Sequence, residues 1–277
     1  MANAEIMSAN TWAPGIFGGA GTICSGQVKA LVKLGANAAI ISRRAEVAAD
    51  KASEIAAVRP GSFVLGIQGD VRSMDSLKAA AAETVKKLGK IDFLICGAAG
   101  NFLSSFDNLS ANAFRTVVEI DLLGSFNATK ACADELKKNK GRIIYVSATL
   151  HYTGTPLQTH AAAAKAGVDA LSAQMCIEYG PWGVTSNVIA PGATAATEGF
   201  DRLSDAKGRV SGHEGIPLQR YGTVSEIADA TVFLFSPAAK YITGTVIPVD
   251  GGYSHVQGPV HTQKYPDCIM GSSPSRL

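Results

Sequence analysis

Short apolar runs alternate with longer segments of helical period along most of this 277-residue chain, and that alternation admits few folds. Ala38–Ser42, Ser62–Ile67, Ile91–Cys96, Arg142–Ser147, Thr185–Ala190 and Thr245–Val249 read as strands. Helical spacing predicts helices near 22–34, 45–57, 73–88, 110–139, 158–179 and 223–236. Strands separated by helices join in parallel, with the helices covering both faces of the sheet. The expected fold class is therefore α/β: one doubly wound parallel sheet of Rossmann type, occupying residues 1–277 as a single domain with an irregular tail from about Gly258. A hydrophobic content of 47% suffices for one large core at this length. The helix after Ser110 is long and the Ala-rich one after Gln158 is apolar around much of its girth, so both are expected to pack in a homo-oligomer, a dimer or tetramer.

Charge and cysteine content exclude several classes. The net charge is +2, from 25 basic and 23 acidic residues without a basic block, which argues against nucleic acid and anionic membranes as partners. Cys24, Cys96, Cys132, Cys176 and Cys268 are odd in number, far apart and free of CxxC pairs, so neither a disulfide framework nor a metal site is expected. No segment reaches the length of a membrane span, and the start MANAEIMSAN lacks the basic and apolar regions of a leader. Ser275-Arg276-Leu277 is close to the Ser-Lys-Leu address that a peroxisomal import receptor reads.

The stretch TWAPGIFGGAGTIC, residues 11–24, combines a nucleotide signal with a defect. Gly18, Gly19 and Gly21, followed by a helical segment from Thr22 and Ile23, suit a turn whose bare backbone approaches a pyrophosphate. Cys24 occupies the third glycine place, so the turn alone reads equally as a Gly-rich surface loop. The strand expected before it is missing: Trp12–Phe17 holds Pro14 and Gly15 where Val, Ile or Leu would stand. Further along, the predicted second strand ends in Ser42-Arg43-Arg44 in place of the acid that receives a ribose 2′-hydroxyl. A guanidinium at Arg43 suits a 2′-phosphate, and NADPH is expected; by itself the pair also reads as a solvated helix start.

GGAGTIC, ISRR, GDVR, ICGAAGN, VVEIDLLGSFNATKA, AAAAKAGVDAL, NVIAPGA and VDGG follow in an order and spacing that resembles the short-chain dehydrogenase/reductase family from Gly18 to Tyr253. Within it, GAAGNF, SATLHYTGTPLQTH, APGATAATEG, IPLQRYG and the Ser-Arg-Leu ending resemble the peroxisomal 2,4-dienoyl-CoA reductases of fungi and animals. That resemblance implies NADPH-dependent reduction of 2,4-dienoyl-CoA to 3-enoyl-CoA in β-oxidation of unsaturated fatty acids. It also implies about eight further residues between Phe17 and Gly18, absent here, so that the first central strand is deleted or replaced by residues 12–17.

Most members of the family place a Tyr four residues before a Lys to pass a proton to a carbonyl. Here Lys165 stands but position 161 is Ala, which fits a dienoyl thioester better than a ketone. The resemblance assigns Lys165 to the nicotinamide ribose, and puts Asp121 where the wider family has Asn, holding a water or proton for the α-carbon. Ser147 matches the active-site serine, while Tyr152 and His160 are rival proton donors. Each has a plainer reading: Lys165 as a solubilising helix residue, Asp121 as a buried carboxylate on nearby backbone, Ser147 as a strand-end hydrogen bonder and His160 as a helix-start residue. By the same resemblance Asp70 receives the adenine amino group, and Pro191, Gly192, Thr194 and Thr197 close over the nicotinamide and diphosphate. Arg72, Phe102, Ser110, Asn112 and Arg202 match positions that contact acyl-CoA. Two other functions fit the same residues: a short-chain oxidoreductase of another acyl-CoA or a carbonyl, and an inactive subunit or splice variant that folds poorly or binds NADPH weakly for want of its first strand.

Overall fold

The computed structural model describes residues 15–203 and 212–256. Trp12–Pro14, Cys268, the tail from Gly258 and Ser275-Arg276-Leu277 lie outside the described residues. Within them, seven parallel strands form one sheet in the order β3-β2-β1-β4-β5-β6-β7. The strands are β1 (Gly15–Gly19), β2 (Asn37–Ser42), β3 (Val64–Gln68), β4 (Phe93–Cys96), β5 (Arg142–Val146), β6 (Thr185–Pro191) and β7 (Val246–Val249). The helices that bear on the site are α1 (Thr22–Lys33), α2 (Ala45–Ala56), α3 (Met74–Leu88), α4 (Ala111–Val118), α5 (Gly124–Ala131), α6 (Ala133–Asn139), α7 (Leu150–Thr153), α8 (Thr159–Tyr179), α9 (Glu198–Leu203) and α10 (Val224–Phe235). Single-domain α/β architecture of Rossmann type is what the alternation of apolar runs predicts.

The central place is not empty. Gly15–Gly19 fills it, pairing with β2 from Gly15↔Asn37 to Gly19↔Ile41 and with β4 from Ile16↔Phe93 to Gly18↔Ile95. Among the described residues the substitute spans Gly15–Gly19 and runs two residues into the glycine turn, a correction to the boundary at Phe17. Alternation explains how so poor a strand holds its place: Ile16 is buried on one face of the sheet and Phe17 on the other. Ile16 joins Val28 and Leu31 of α1, Ile55 of α2, and Ile227 and Leu234 of α10. Phe17 joins Leu77 of α3, Ala128 of α5 and Val168 of α8. Gly15 is required by close approach, since a Cβ there would lie 2.0 Å from the Lys90 carbonyl oxygen.

The long helix expected over 110–139 is instead three helices, with a π turn at Glu119–Leu123 between α4 and α5 and a break at Cys132. Two contacts hold the π turn. Ser125 Oγ donates to the Asp121 carbonyl at 2.6 Å, and Gly124 packs so closely on Val71 that a Cβ would come within 2.8 Å of its side chain. A π turn inside an α-helix redirects one side chain, and here that side chain is Asp121.

Candidate active site

A cleft of about 1230 Å³ lies beyond the carboxyl ends of the strands, lined by the segments that follow β1 through β6. In open parallel sheets this edge carries the ligand, at the point where strand order reverses beside β1. α1 starts immediately after the turn, with Gly21 as its N-cap, no side-chain capping bond and no acid in its first turn. Its free N–H groups and the positive end of its dipole are thus left for an anion. A Cβ on Gly21 would meet nothing within 4 Å, so the backbone is open to the cleft.

At the end of β2, Arg43 and Arg44 are exposed, and neither forms an ion pair among the described residues. Gln68 Nε2 anchors the Arg43 carbonyl at 3.0 Å and leaves the guanidinium free for a phosphate. An uncapped helix start beside two unpaired arginines fits a phosphorylated dinucleotide. Gly18, Gly19, Gly21, Thr22, Ile23, Arg43, Asp70, Lys165, Pro191, Gly192, Thr194 and Thr197 all line the cleft. Asp70 is also engaged with Arg72: Nη2 reaches Oδ2 at 2.6 Å and Nε reaches Oδ1 at 3.0 Å. The Arg72 hydrogen bond holds the Asp70 carboxyl below its usual pKa against a smaller effect of burial.

Lys165, one face of α8, is 7% exposed; its Nζ donates to the Val146 carbonyl at 3.0 Å and stands 3.2 Å from Asp121 Oδ2. Asp121 is 1% exposed, and its Oδ1 accepts the Gly100 N–H at 2.6 Å. Burial pushes this carboxyl above its usual pKa, and the Lys165 ammonium and the Gly100 N–H oppose the rise. Ser147 is buried at the end of β5, its hydroxyl only 3.5 Å from the Lys165 carbonyl and so weakly committed. Ala161 lies in the same wall, on the face of α8 that carries Lys165. Asp121, Lys165 and Ser147 are therefore brought together at the cleft.

Tyr152 and His160 are not among the residues that line it. Tyr152 donates its hydroxyl to Asp169 Oδ2 at 2.9 Å, the oxygen that His151 Nε2 also meets at 2.9 Å. Burial and the Asp169 bond push its phenol well above its usual pKa, which suits an anchor of α7 better than a donor to substrate. His160 is fully buried behind the wall, its ring 4.2 Å from that of Phe102, and burial lowers its pKa. Of the expected acyl-CoA contacts, Arg72 and Arg202 line the cleft; Arg202 is held by Glu198 at 3.1 Å and by the Asn101 carbonyl at 3.3 Å. Phe102, Ser110 and Asn112 do not line it. Ser110 caps α4 by accepting the Ala113 N–H at 3.1 Å, and Asn112 is exposed on that helix.

Sequence reasoning passed over Asn101 and Gln158, which line the cleft and join across it through Asn101 Nδ2 and Gln158 Oε1 at 2.6 Å. Both lie inside stretches already singled out, GAAGNF and GTPLQTH, but neither has a spacing that marks it.

Comparison with known proteins identifies the family and the fold. The family model described as enoyl-(acyl carrier protein) reductase matches residues 18–254, beginning at the join after Phe17. The peroxisomal 2,4-dienoyl-CoA reductase [(3E)-enoyl-CoA-producing] of Saccharomyces cerevisiae is 49% identical over 285 residues, covering 99% of this chain and 97% of its own. Its counterpart in Danio rerio is 42% identical over 239 residues, covering 86% of this chain and 79% of its own. Among solved structures, a short chain dehydrogenase from Bacillus anthracis superposes with a TM-score of 0.80 at 31% identity, over 94% of this chain and all of that one.

Proposed function

The chain belongs to the short-chain dehydrogenase/reductase family, and from that premise we propose that it reduces 2,4-dienoyl-CoA to 3-enoyl-CoA with NADPH. The observation that carries this reading is the alanine at position 161 beside an intact Lys165–Asp121 pair. A ketone reductase needs an acid at the carbonyl oxygen; a dienoyl thioester needs its proton at carbon.

When bound, NADPH supplies a hydride to the far carbon of the diene. The residues of the chain do the rest. The α1 N-terminus and the Gly18–Gly21 backbone hold the diphosphate, and Arg43 pairs with the 2′-phosphate. The Lys165 ammonium has three N–H donors; Val146 takes one, Asp121 faces another, and the third serves the ribose hydroxyls. Negative charge gathers on the thioester oxygen as a dienolate, where the Ser147 hydroxyl is placed to donate. Asp121, whose pKa burial raises, is placed to pass a proton to the α-carbon, and Lys165 stabilises the carboxylate that this leaves. Arg72 and Arg202 at the cleft receive CoA phosphates, with Phe102, Ser110 and Asn112 further out along the loop and α4.

The names of the relatives favour the peroxisome. A homo-oligomer is supported by exposed Leu123 and Phe126 beside an alanine-rich outer face of α8. The deciding experiment supplies 2,4-hexadienoyl-CoA and NADPH and identifies the product. A 3-enoyl-CoA supports the reading; a 2-enoyl-CoA, or faster reduction of a 3-ketoacyl-CoA, overturns it.

A further inference from the structure

Asp169 of α8 gathers two side chains of α7 on one oxygen. Its Oδ2 accepts the Tyr152 hydroxyl at 2.9 Å, and His151 Nε2, facing a carboxylate that can only accept, donates to the same oxygen at 2.9 Å. The two rings lie against each other with centroids 4.2 Å apart. Asp169 Oδ1 and His151 Nδ1 are buried and take no hydrogen bond among the described residues, so the polar attachment passes through Oδ2. Burial and the Asp169 bond raise the Tyr152 phenol, which therefore stays protonated and remains a donor.

None of these three residues lines the cleft, but their neighbours do: Thr149, Leu150, Thr153 and Thr155 all face it. In one turn of helix, positions 150 and 153 share a face and positions 151 and 152 share the opposite one. α7 is thus a plate with the cleft on one side and Asp169 on the other. Four residues of helix have no stability of their own. The segment is tied at its ends, where the Thr149 N–H donates to the Pro191 carbonyl at 3.2 Å and the Leu157 carbonyl accepts the Ser104 N–H at 2.9 Å. Between those ties, Thr155 Oγ1 donates to the Leu150 carbonyl inside the segment, and every side-chain hydrogen bond that α7 makes among the described residues goes to Asp169. Asp169 stands one turn beyond Lys165, at the spacing of neighbours on one face of α8. This wall of the cleft is therefore hung on the helix that carries the Lys165 ammonium.

We propose that Asp169 is a positioning residue that seats α7 through His151 and Tyr152, so that Leu150 and Thr153 form a fixed wall for the acyl-CoA thioester. This rests on the reading of the site as a dienoyl-CoA reductase. The residues assigned to NADPH come from the turns after β1, β2 and β3, from Lys165 and from the segment 191–197, and none comes from 148–158. A wall that meets the substrate and not the cofactor contributes equally to the ground state and the transition state. Its loss raises KM and leaves kcat in place.

Asp169→Leu keeps the bulk of the side chain and removes both oxygens. It should raise KM for 2,4-hexadienoyl-CoA about tenfold, with kcat and NADPH affinity within about twofold of the parent. Asp169→Asn, which keeps an acceptor oxygen, should hold KM near the parental value. Tyr152→Phe should raise KM by a smaller factor alone and by nothing further in the Asp169→Leu background, because both changes act through one oxygen. If Asp169→Leu does not fold, His151→Phe combined with Tyr152→Phe carries the same expectation. A parental KM in the variant that folds, equal losses in kcat and NADPH affinity, or additive effects of Asp169→Leu and Tyr152→Phe would overturn the proposal. A readout without substrate separates it from the reading beneath it: amide hydrogen exchange over residues 149–155 should quicken about tenfold or more in Asp169→Leu, with β5 unchanged. Unaltered exchange there overturns the anchor whatever the substrate proves to be, whereas failure of the unaltered chain to reduce the dienoyl-CoA overturns only the underlying reading.

Discussion

Asp92 Oδ2 accepts the backbone N–H of Gly15 at 2.7 Å, while the Asp92 N–H returns a bond to the Gly15 carbonyl at 2.8 Å. This reciprocal pair fastens the first residue of β1 to the segment that leads into β4. It does for the strand what a longer apolar run would otherwise do, since only Ile16 and Phe17 bring sizeable side chains to the core. Asp92→Ala removes a charge-assisted bond to a part-buried N–H, a loss of about 1.5–3 kcal/mol. The expected fall in melting temperature is about 3–12 °C for a chain of this size. Gly15→Ala should destabilise as well, because its Cβ collides with the Lys90 carbonyl. Thermal unfolding of the two variants beside the parent checks both.

Arg43→Ala removes the guanidinium expected on the 2′-phosphate. Loss of a charge-assisted contact of about 1.5–3 kcal/mol weakens NADPH binding by roughly one to two decades and leaves NADH almost unchanged. Titrating both cofactors decides it; equal losses would assign Arg43 to the fold or the diphosphate.

Asp121 sets an expectation for pH. Its pKa is raised by burial, so the acid form persists to higher pH than for an exposed carboxyl, and kcat should decline as pH rises through that pKa. Asp121→Asn should lower kcat by about two decades or more and abolish that decline, with the residual rate flat over the same interval. A pH profile of kcat for both proteins provides the check; an unchanged decline in the Asn variant would place the titrating acid elsewhere.

Lys165→Ala should lower kcat and weaken NADPH together, since a ribose contact acts before and during the reaction. Parallel measurement of turnover and cofactor affinity tests this; a kcat loss without a binding loss would confine Lys165 to supporting Asp121.

Sequence order made most of this molecule legible for a physical reason: β2 to β7 are short runs rich in apolar residues, and glycine or proline directly follows or ends β3, β4 and β6. Strands β2 to β7 were readable within about two residues at either end, as ends fray between conventions. What escaped was long-range. The π turn at Asp121 depends on Val71 from another loop, and Gly124 alone gives no hint of it. Asn101 and Gln158 meet only because β4 and α8 converge, and Tyr152, plausible by proximity in sequence to Lys165, is drawn off by Asp169 on the next turn of the helix. β1 was misjudged at its limits because glycine propensity argues against a strand, whereas the central gap between β2 and β4 selects any segment able to enter it.

That gap leads to the last prediction. The match to the yeast relative spans 285 residues, eight more than this chain possesses, and the family model starts at Gly18. The sequence resemblance implies a compact loss between Phe17 and Gly18. A central parallel strand is buried on both faces and bonded along both edges, so each missing apolar side chain is felt directly. Inserting an apolar strand of about eight residues at the join should bury two or three more such side chains than β1 does, worth about 3–9 kcal/mol. That is a large part of the roughly 5–15 kcal/mol by which a domain is stable. The inserted chain should melt at a distinctly higher temperature and bind NADPH more tightly, because the α1 N-terminus is positioned by the strand that precedes it. Side-by-side thermal unfolding and NADPH titration supply the comparison. If the chain without the insertion unfolds cooperatively and binds NADPH at micromolar concentration as well as the inserted one, Gly15–Gly19, fastened by Asp92, is a sufficient central strand.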